Sequence, residues 1–208
     1  MPEGVVASGV FSSVDGSTTG AVDVVVSGEV AEVVLRNFAT THDRLAVSAP
    51  LGRAVQARCV DGESFALGDV VPGARPDPLI LPLSSGRGDP SFLTEVVVAM
   101  HTPPGDSGEC INQVVAAAPL TWTFDPRRPF LAALLDGGAR AGASGEPVVD
   151  GAGRPVAYVA APDDSFPGVA DRFGIRVDDV LYLNPARAHA EDPLLYVGEE
   201  LNLDLRAR

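Results

Sequence analysis

Residues 161–185, APDDSFPGVADRFGIRVDDVLYLNP, decide how the C-terminal part of the chain is read. Pro162-Asp163-Asp164-Ser165 is a turn that ends in good N-cap residues. The spacing then predicts a helix over 166–173, with Phe166, Val169, Ala170 and Phe173 on one face at i, i+3, i+4 and i+7. Pro167 fits because its missing N–H falls in the first turn, and Gly174 is placed to end the helix. A second helix is expected over 177–183, opened by Asp178 and Asp179 at the positive end of its dipole. Val177, Val180, Leu181 and Asn184 share its inner side, and Asn184-Pro185 stops it. Short strands flank the pair: Ala157–Ala160 before it and Leu201–Leu203 after it, reached through LLYVGEE.

Paired short helices often enter DNA grooves, but the charge here argues otherwise. The chain of 208 residues has a formal net charge of -13, so a phosphate backbone is repelled rather than gripped. Nucleic acid is therefore excluded as a partner. All 15 basic residues are Arg, a compositional sign of a GC-rich bacterial genome. The apolar share of 46% is enough for a real core, while 22 Gly and 18 Pro imply many turns. No window approaches the ~18 apolar residues of a membrane span. The start, MPEGVVASGV, lacks a basic region followed by an apolar stretch. The expectation is either a cytoplasmic protein or an exported one whose signal is absent from this stretch.

Residues 1–124 read as an antiparallel β-domain, sandwich-like or barrel-like. Val- and Thr-rich runs recur at GVVASGVFS, AVDVVVSG, EVAEVVLRNF, RLAVSA, AVQARCV, LILPL, FLTEVVVAM and PLTWTF. Turn chemistry separates them. The two cysteines, Cys59 and Cys110, have no metal-ligand neighbours; they are expected to form one disulfide, with two buried thiols as the bland alternative. Such a bridge closes a loop of about 50 residues, worth roughly 4 kcal/mol on a chain-entropy argument. Residues 125–155, rich in Pro, Gly, Arg and Ala, read as a partly packed linker. Its one apolar run, FLAALL, fits a helix or a docked strand. The third region, 156–208, holds the helix pair, so the whole is mostly β plus an α+β domain.

Two stretches, Gly105-Asp106-Ser107-Gly108-Glu109 and Gly142-Ala143-Ser144-Gly145-Glu146, resemble the nucleophile loop of trypsin-like proteases. With His42 beside Asp43, a triad is formally available. Both loops carry Glu (Glu109, Glu146) where that family has Gly, and Gly, Asp and Ser are simply good turn formers. No enzyme is expected. His42 and His101 are read as loop or edge residues and His189 as part of a polar loop. No two histidines have ligand spacing, so neither a metal nor another cofactor is expected.

Tyr158, then Asp163-Asp164-Ser165-Phe166, then Val169-Ala170-x-Arg172-Phe173-Gly174-Ile175, then Leu183-Asn184-Pro185 and Leu195-x-x-Gly198-x-x-Leu201, together resemble a LysM domain over about residues 156–205. The resemblance implies a βααβ fold and binding of N-acetylglucosamine oligomers of peptidoglycan or chitin. It implies a shallow groove with one wall at Asp163, Asp164, Ser165 and Phe166. The other wall is Asn184, Pro185 and Ala186, running towards Leu194 and Leu195. Asp163 stands where the family usually has Gly, and Arg176 replaces the usual small N-cap of the second helix. Residues 1–124 bear a fainter resemblance to the DM13 type of extracellular β-domain, from which no redox role is carried over.

The combined expectation is a non-catalytic, exported bacterial envelope protein with one glycan-binding LysM module. Its β-domain is expected to serve presentation or contact with an envelope protein partner. The rival readings are an interaction protein with a degenerate LysM unit and a cell-wall hydrolase. A hydrolase needs paired carboxylates or a metal set, which the sequence does not display.

Overall fold

The computed structural model describes residues 2–13, 15–50, 59–60, 64–73, 79–81, 88–101, 112–125, 127–188 and 194–208. The described chain forms two compact units, one up to Asp125 and the other from Arg127 to Arg208. No helix among the described residues is long and apolar enough to cross a membrane.

The first unit is all antiparallel β. Its described strands are β1 (Gly4–Val10), β2 (Ser12–Ser13), β3 (Thr18–Ser27), β4 (Val30–Thr40) and β5 (Leu45–Pro50). They continue with β6 (Ser64–Val70), β7 (Leu79–Leu81), β8 (Glu95–Met100), β9 (Val114–Pro119) and β10 (Thr121–Trp122). Two five-stranded sheets result, in the orders β10-β1-β3-β4-β7 and β2-β9-β8-β5-β6. The period-2 alternation of AVDVVVS and VAEVVLR explains the first: Val22, Val24 and Val26 of β3 and Ala31, Val33 and Leu35 of β4 are buried. They share one core with Leu45 and Val47 of β5 and Val96 and Val98 of β8, so the two sheets pack as a sandwich. Trp122 Nε1 donates to the Leu93 carbonyl at 2.8 Å, anchoring the last strand.

Glu95 breaks the apolar pattern of β8. It is 9% exposed, and its Oε1 is buried without a hydrogen-bond partner. Burial pushes its carboxyl up from the ordinary value. Cys59 forms an isolated antiparallel bridge with Gln113. Its expected partner Cys110 lies outside the described residues, as do Ser107, His189 and most of the strand expected in AVQARCV.

The second unit contains β11 (Glu146–Val149), β12 (Pro155–Val159), α1 (Phe166–Phe173), α2 (Val177–Leu183), α3 (Pro185–Ala188) and β13 (Glu200–Asn202). β12 is central, antiparallel to β11 on one side and to β13 on the other. The two main helices cover the residues that the 3.6-residue period marked out. Ser165 caps α1 by accepting from Gly168 N, and Gly174 ends it at φ +67. At α2 the missing small N-cap is offset from the other direction: the Asp179 carboxylate accepts from the Arg176 N–H at 3.0 Å. Arg128 reaches the same carboxylate at 2.5 Å and lies over the Tyr182 ring.

Of residues 125–155, expected as a partly packed linker, Asp125 belongs to the first unit and 127–155 to this one. Leu131, Leu134 and Ala143 are buried in its core with Tyr158, Phe166, Phe173, Val180 and Leu201. FLAALL contributes a 3₁₀ turn over Pro129–Ala133, and the segment ends as strand β11. Glycines in this segment and in α1 permit its close approach to the rest of the unit. A Cβ at Gly168 would overlap the Gly142 carbonyl, and one at Gly145 would overlap the Val159 carbonyl.

That contact makes an opposite-sign prediction. Gly168→Ala should gain about 1 kcal/mol of helix propensity, yet lose more through overlap with the Gly142 backbone. The expected net effect is a loss of about 2 kcal/mol, read as a lower urea midpoint. An unchanged or higher midpoint would refute the close packing.

Candidate functional site

The corner between β12 and α1 is built by one inward-turned carboxylate. Asp164 is 8% exposed. Its Oδ1 accepts from Ser144 N at 2.7 Å and Ser144 Oγ at 3.2 Å. Its Oδ2 accepts from Tyr158 OH at 2.5 Å, Ala161 N at 2.8 Å and Gly145 N at 3.1 Å. Burial pushes this carboxyl up, but the Tyr158 hydroxyl and the Ala161, Ser144 and Gly145 N–H groups outweigh it and hold its pKa below the usual range. Burial, then the bond to Asp164, raises the Tyr158 hydroxyl to about 12. The acceptor capacity of Asp164 is thus spent on the protein's own donors.

Asp163, its neighbour, does the reverse. It is exposed and sits at φ +65, the left-handed region that glycine favours and Asp tolerates better than most. Ser165 N donates to the Gly142 carbonyl at 2.9 Å, while Phe166 is buried in the core. Of the four residues expected as the first wall, Asp163 and the partly exposed Ser165 reach solvent; Asp164 and Phe166 are turned inward.

The second expected wall divides in the same way. Asn184 is 9% exposed and ties the end of α2 to β13. Its Nδ2 donates to the Val180 and Asn202 carbonyls, and its Oδ1 accepts from Asn202 N at 2.7 Å. Pro185 and Ala186 open α3 and are half-buried. Leu195 packs against the core, whereas Leu194, Tyr196 and Val197 are 61%, 54% and 68% exposed. Ala160 joins this apolar ledge to the Asp163 corner: its carbonyl accepts from Gly198 N at 2.8 Å and its N–H donates to Glu199 O at 2.9 Å. Tyr196 and Val197 were missing from the residues expected at the site, although the run LLYV inside a loop was the available signal.

Arg187 on α3 also escaped the sequence reading. Its guanidinium lies 5.6 Å from the centre of the Phe166 ring and 5.8 Å from that of Tyr196. It donates to the Leu194 carbonyl and pairs with Glu199 at 2.9 Å.

The protease-like loop around Ser144 is a structural clamp. The Ser144 hydroxyl donates to Asp164, and the buried Arg172 donates to the Ala143 and Gly145 carbonyls at 3.0 and 2.8 Å. Arg172 also grips Asp136 with two bonds of 2.6 and 2.8 Å. In the first unit, His42 Nε2 contacts Ser17 Oγ at 3.1 Å, and His101 Nε2 contacts Asp69 Oδ1 at 2.9 Å. His42, Asp43, Arg44, Met100 and His101 line an open cavity of about 550 Å³. Among the described residues, no cluster of His, Cys, Asp and Glu is arranged to hold a metal ion. Comparison with protein families, curated proteins and solved structures finds no match for this chain.

Asp164 sets an acid limit. Its folded-state carboxyl titrates below the unfolded value, so its contribution is full above about pH 4 and is lost as pH falls through the depressed value. Asp164→Asn should cost about 3 kcal/mol at pH 7, because a buried amide cannot accept from all of these donors. It should also flatten the acid limb of stability. Thermal unfolding from pH 3 to 7 measures both; a variant as stable as the parent at pH 7 would contradict this role.

Proposed function

We propose that the second unit is a LysM-type module that binds N-acetylglucosamine-containing glycan, peptidoglycan or chitin-like, in a non-catalytic bacterial envelope protein. One observation carries the reading: β12, α1, α2 and β13 follow in strand–helix–helix–strand order with the two strands paired antiparallel, and Ala160 joins the Asp163 corner to the exposed ledge. Leu194, Tyr196 and Val197 supply an apolar platform, and a half-exposed tyrosine suits stacking on the flat face of a sugar ring. Asp163, Ser165, Pro185 and Ala186 border it. Asp164 and Asn184 hold the backbone in shape and leave ligand contact to their neighbours.

An exported protein fits one disulfide, and Cys59 supports that pairing. It bridges to Gln113, only three residues in sequence from Cys110. The first unit then serves presentation or contact with an envelope partner.

Two measurements test the reading. Pull-down on insoluble peptidoglycan and chitin should retain the chain and release it to N-acetylglucosamine oligomers. Tyr196→Ala should weaken retention about tenfold, in line with loss of one stacked ring. Absence of retention on both polymers would end the proposal. Separately, thiol titration of the denatured, unreduced protein should find no free thiol, and two after reduction. Two thiols before reduction would remove the disulfide.

A further inference from the structure

We propose that Arg187 closes the sugar groove in the ligand-free protein and must swing aside before a glycan can bind, an inference that rests on the glycan-binding reading above. The guanidinium spans the two walls. It covers the Phe166 ring, on the α1 side, at 5.6 Å and the Tyr196 ring, on the ledge, at 5.8 Å. It is fastened at the ledge by the Leu194 carbonyl and by the Glu199 carboxylate at 2.9 Å. The side chain is only 20% exposed and lies beside both rings.

A sugar ring stacked on the Tyr196 face that Arg187 covers has to take the guanidinium's place. The protein then gives up two cation–π contacts, a hydrogen bond and a half-buried ion pair. Their loss enters the dissociation constant as the fraction of molecules with the groove open. The anchors differ in kind. Glu199 also fixes its own loop, since its Oε2 accepts from Tyr196 N at 3.0 Å. Gln at 199 keeps an oxygen for that bond and removes only the charge that holds Arg187.

The test is calorimetric or NMR titration of the full chain with the N-acetylglucosamine pentamer. Arg187→Ala should bind about tenfold more tightly than the parent, and Glu199→Gln should show a smaller gain. Arg187→Met keeps the apolar stem and should fall between the parent and Arg187→Ala. It also guards against a fold defect, checked by thermal unfolding. If Arg187→Ala binds more weakly, or equally well, Arg187 is a ligand contact or a bystander and the closure is overturned while the groove reading stands. If neither the parent nor any variant binds at millimolar pentamer, the groove reading itself has failed, and the closure with it.

Discussion

The geometry of the second unit depends on the Asp164 carboxylate. A turn between a strand and a helix leaves several backbone N–H groups without partners, and so does a loop pressed against that turn. Asp164 answers both at once, taking Ala161 N from its own turn and Ser144 N and Gly145 N from a segment about 20 residues upstream. Arg172 meets the complementary need. It supplies donors to the Ala143 and Gly145 carbonyls and holds Asp136 further along the same segment. A buried anion and a buried cation thus clamp one stretch of backbone from opposite polarities, and Tyr158 lies between them, bonded to Asp164 and beneath Arg172. The apolar residues Leu131, Leu134 and Ala143 are delivered to the core by this clamp.

The first unit shows what a buried carboxylate does without such donors. Glu95 sits in β8 with one oxygen buried and unbonded, and burial alone moves its carboxyl, upward. In Asp164 burial acts in the same direction and is overruled by hydrogen bonds. The first group favours the folded state when protonated, the second when ionised. The two units therefore respond to acid with opposite sign at these positions, because hydrogen bonds outweigh burial at Asp164 whereas burial moves Glu95.

Much of this was legible in the sequence where the signal is local. The period of Phe166, Val169, Ala170 and Phe173, with Ser165 before and Gly174 after, sets the bounds of α1, and Val22, Val24 and Val26 mark the inner face of β3. What failed was non-local. Composition marked the segment around Gly142 and Gly145 as a partly packed linker but could not show where it packs, which depends on the distant Gly168 and Val159 backbones. Asp163 and Asp164 look alike as a pair, yet one faces water at positive φ and the other is buried among donors that lie far away in the chain. Tyr196, Val197 and Arg187 acquire meaning only when the return loop docks beside Ala160. Of the residues expected at the site, Asp163, Ser165 and Leu194 reach solvent while Asp164, Phe166 and Asn184 turn inward, a division that only the fold displays.

The character of that corner constrains what it can hold. Its exposed surface is an apolar ledge of Leu194, Tyr196 and Val197 with an exposed carboxylate, Asp163, at the edge, on a chain whose net charge is -13. A polyanion meets repulsion from both the site and the whole molecule, whereas an uncharged N-acetylglucosamine oligomer meets none. Three exposed side chains would offer a single sugar little area to bury, and on the closure proposed for Arg187 part of that gain is lost again. If the unit binds glycan as proposed, affinity for one short oligomer is modest. On that proposal, retention on a polymer would come from repetition, either many sugar units along it or several copies of the protein engaging it together. The proposed site on an acidic carrier would therefore suit reversible placement along a polymeric surface better than sequestering a soluble sugar.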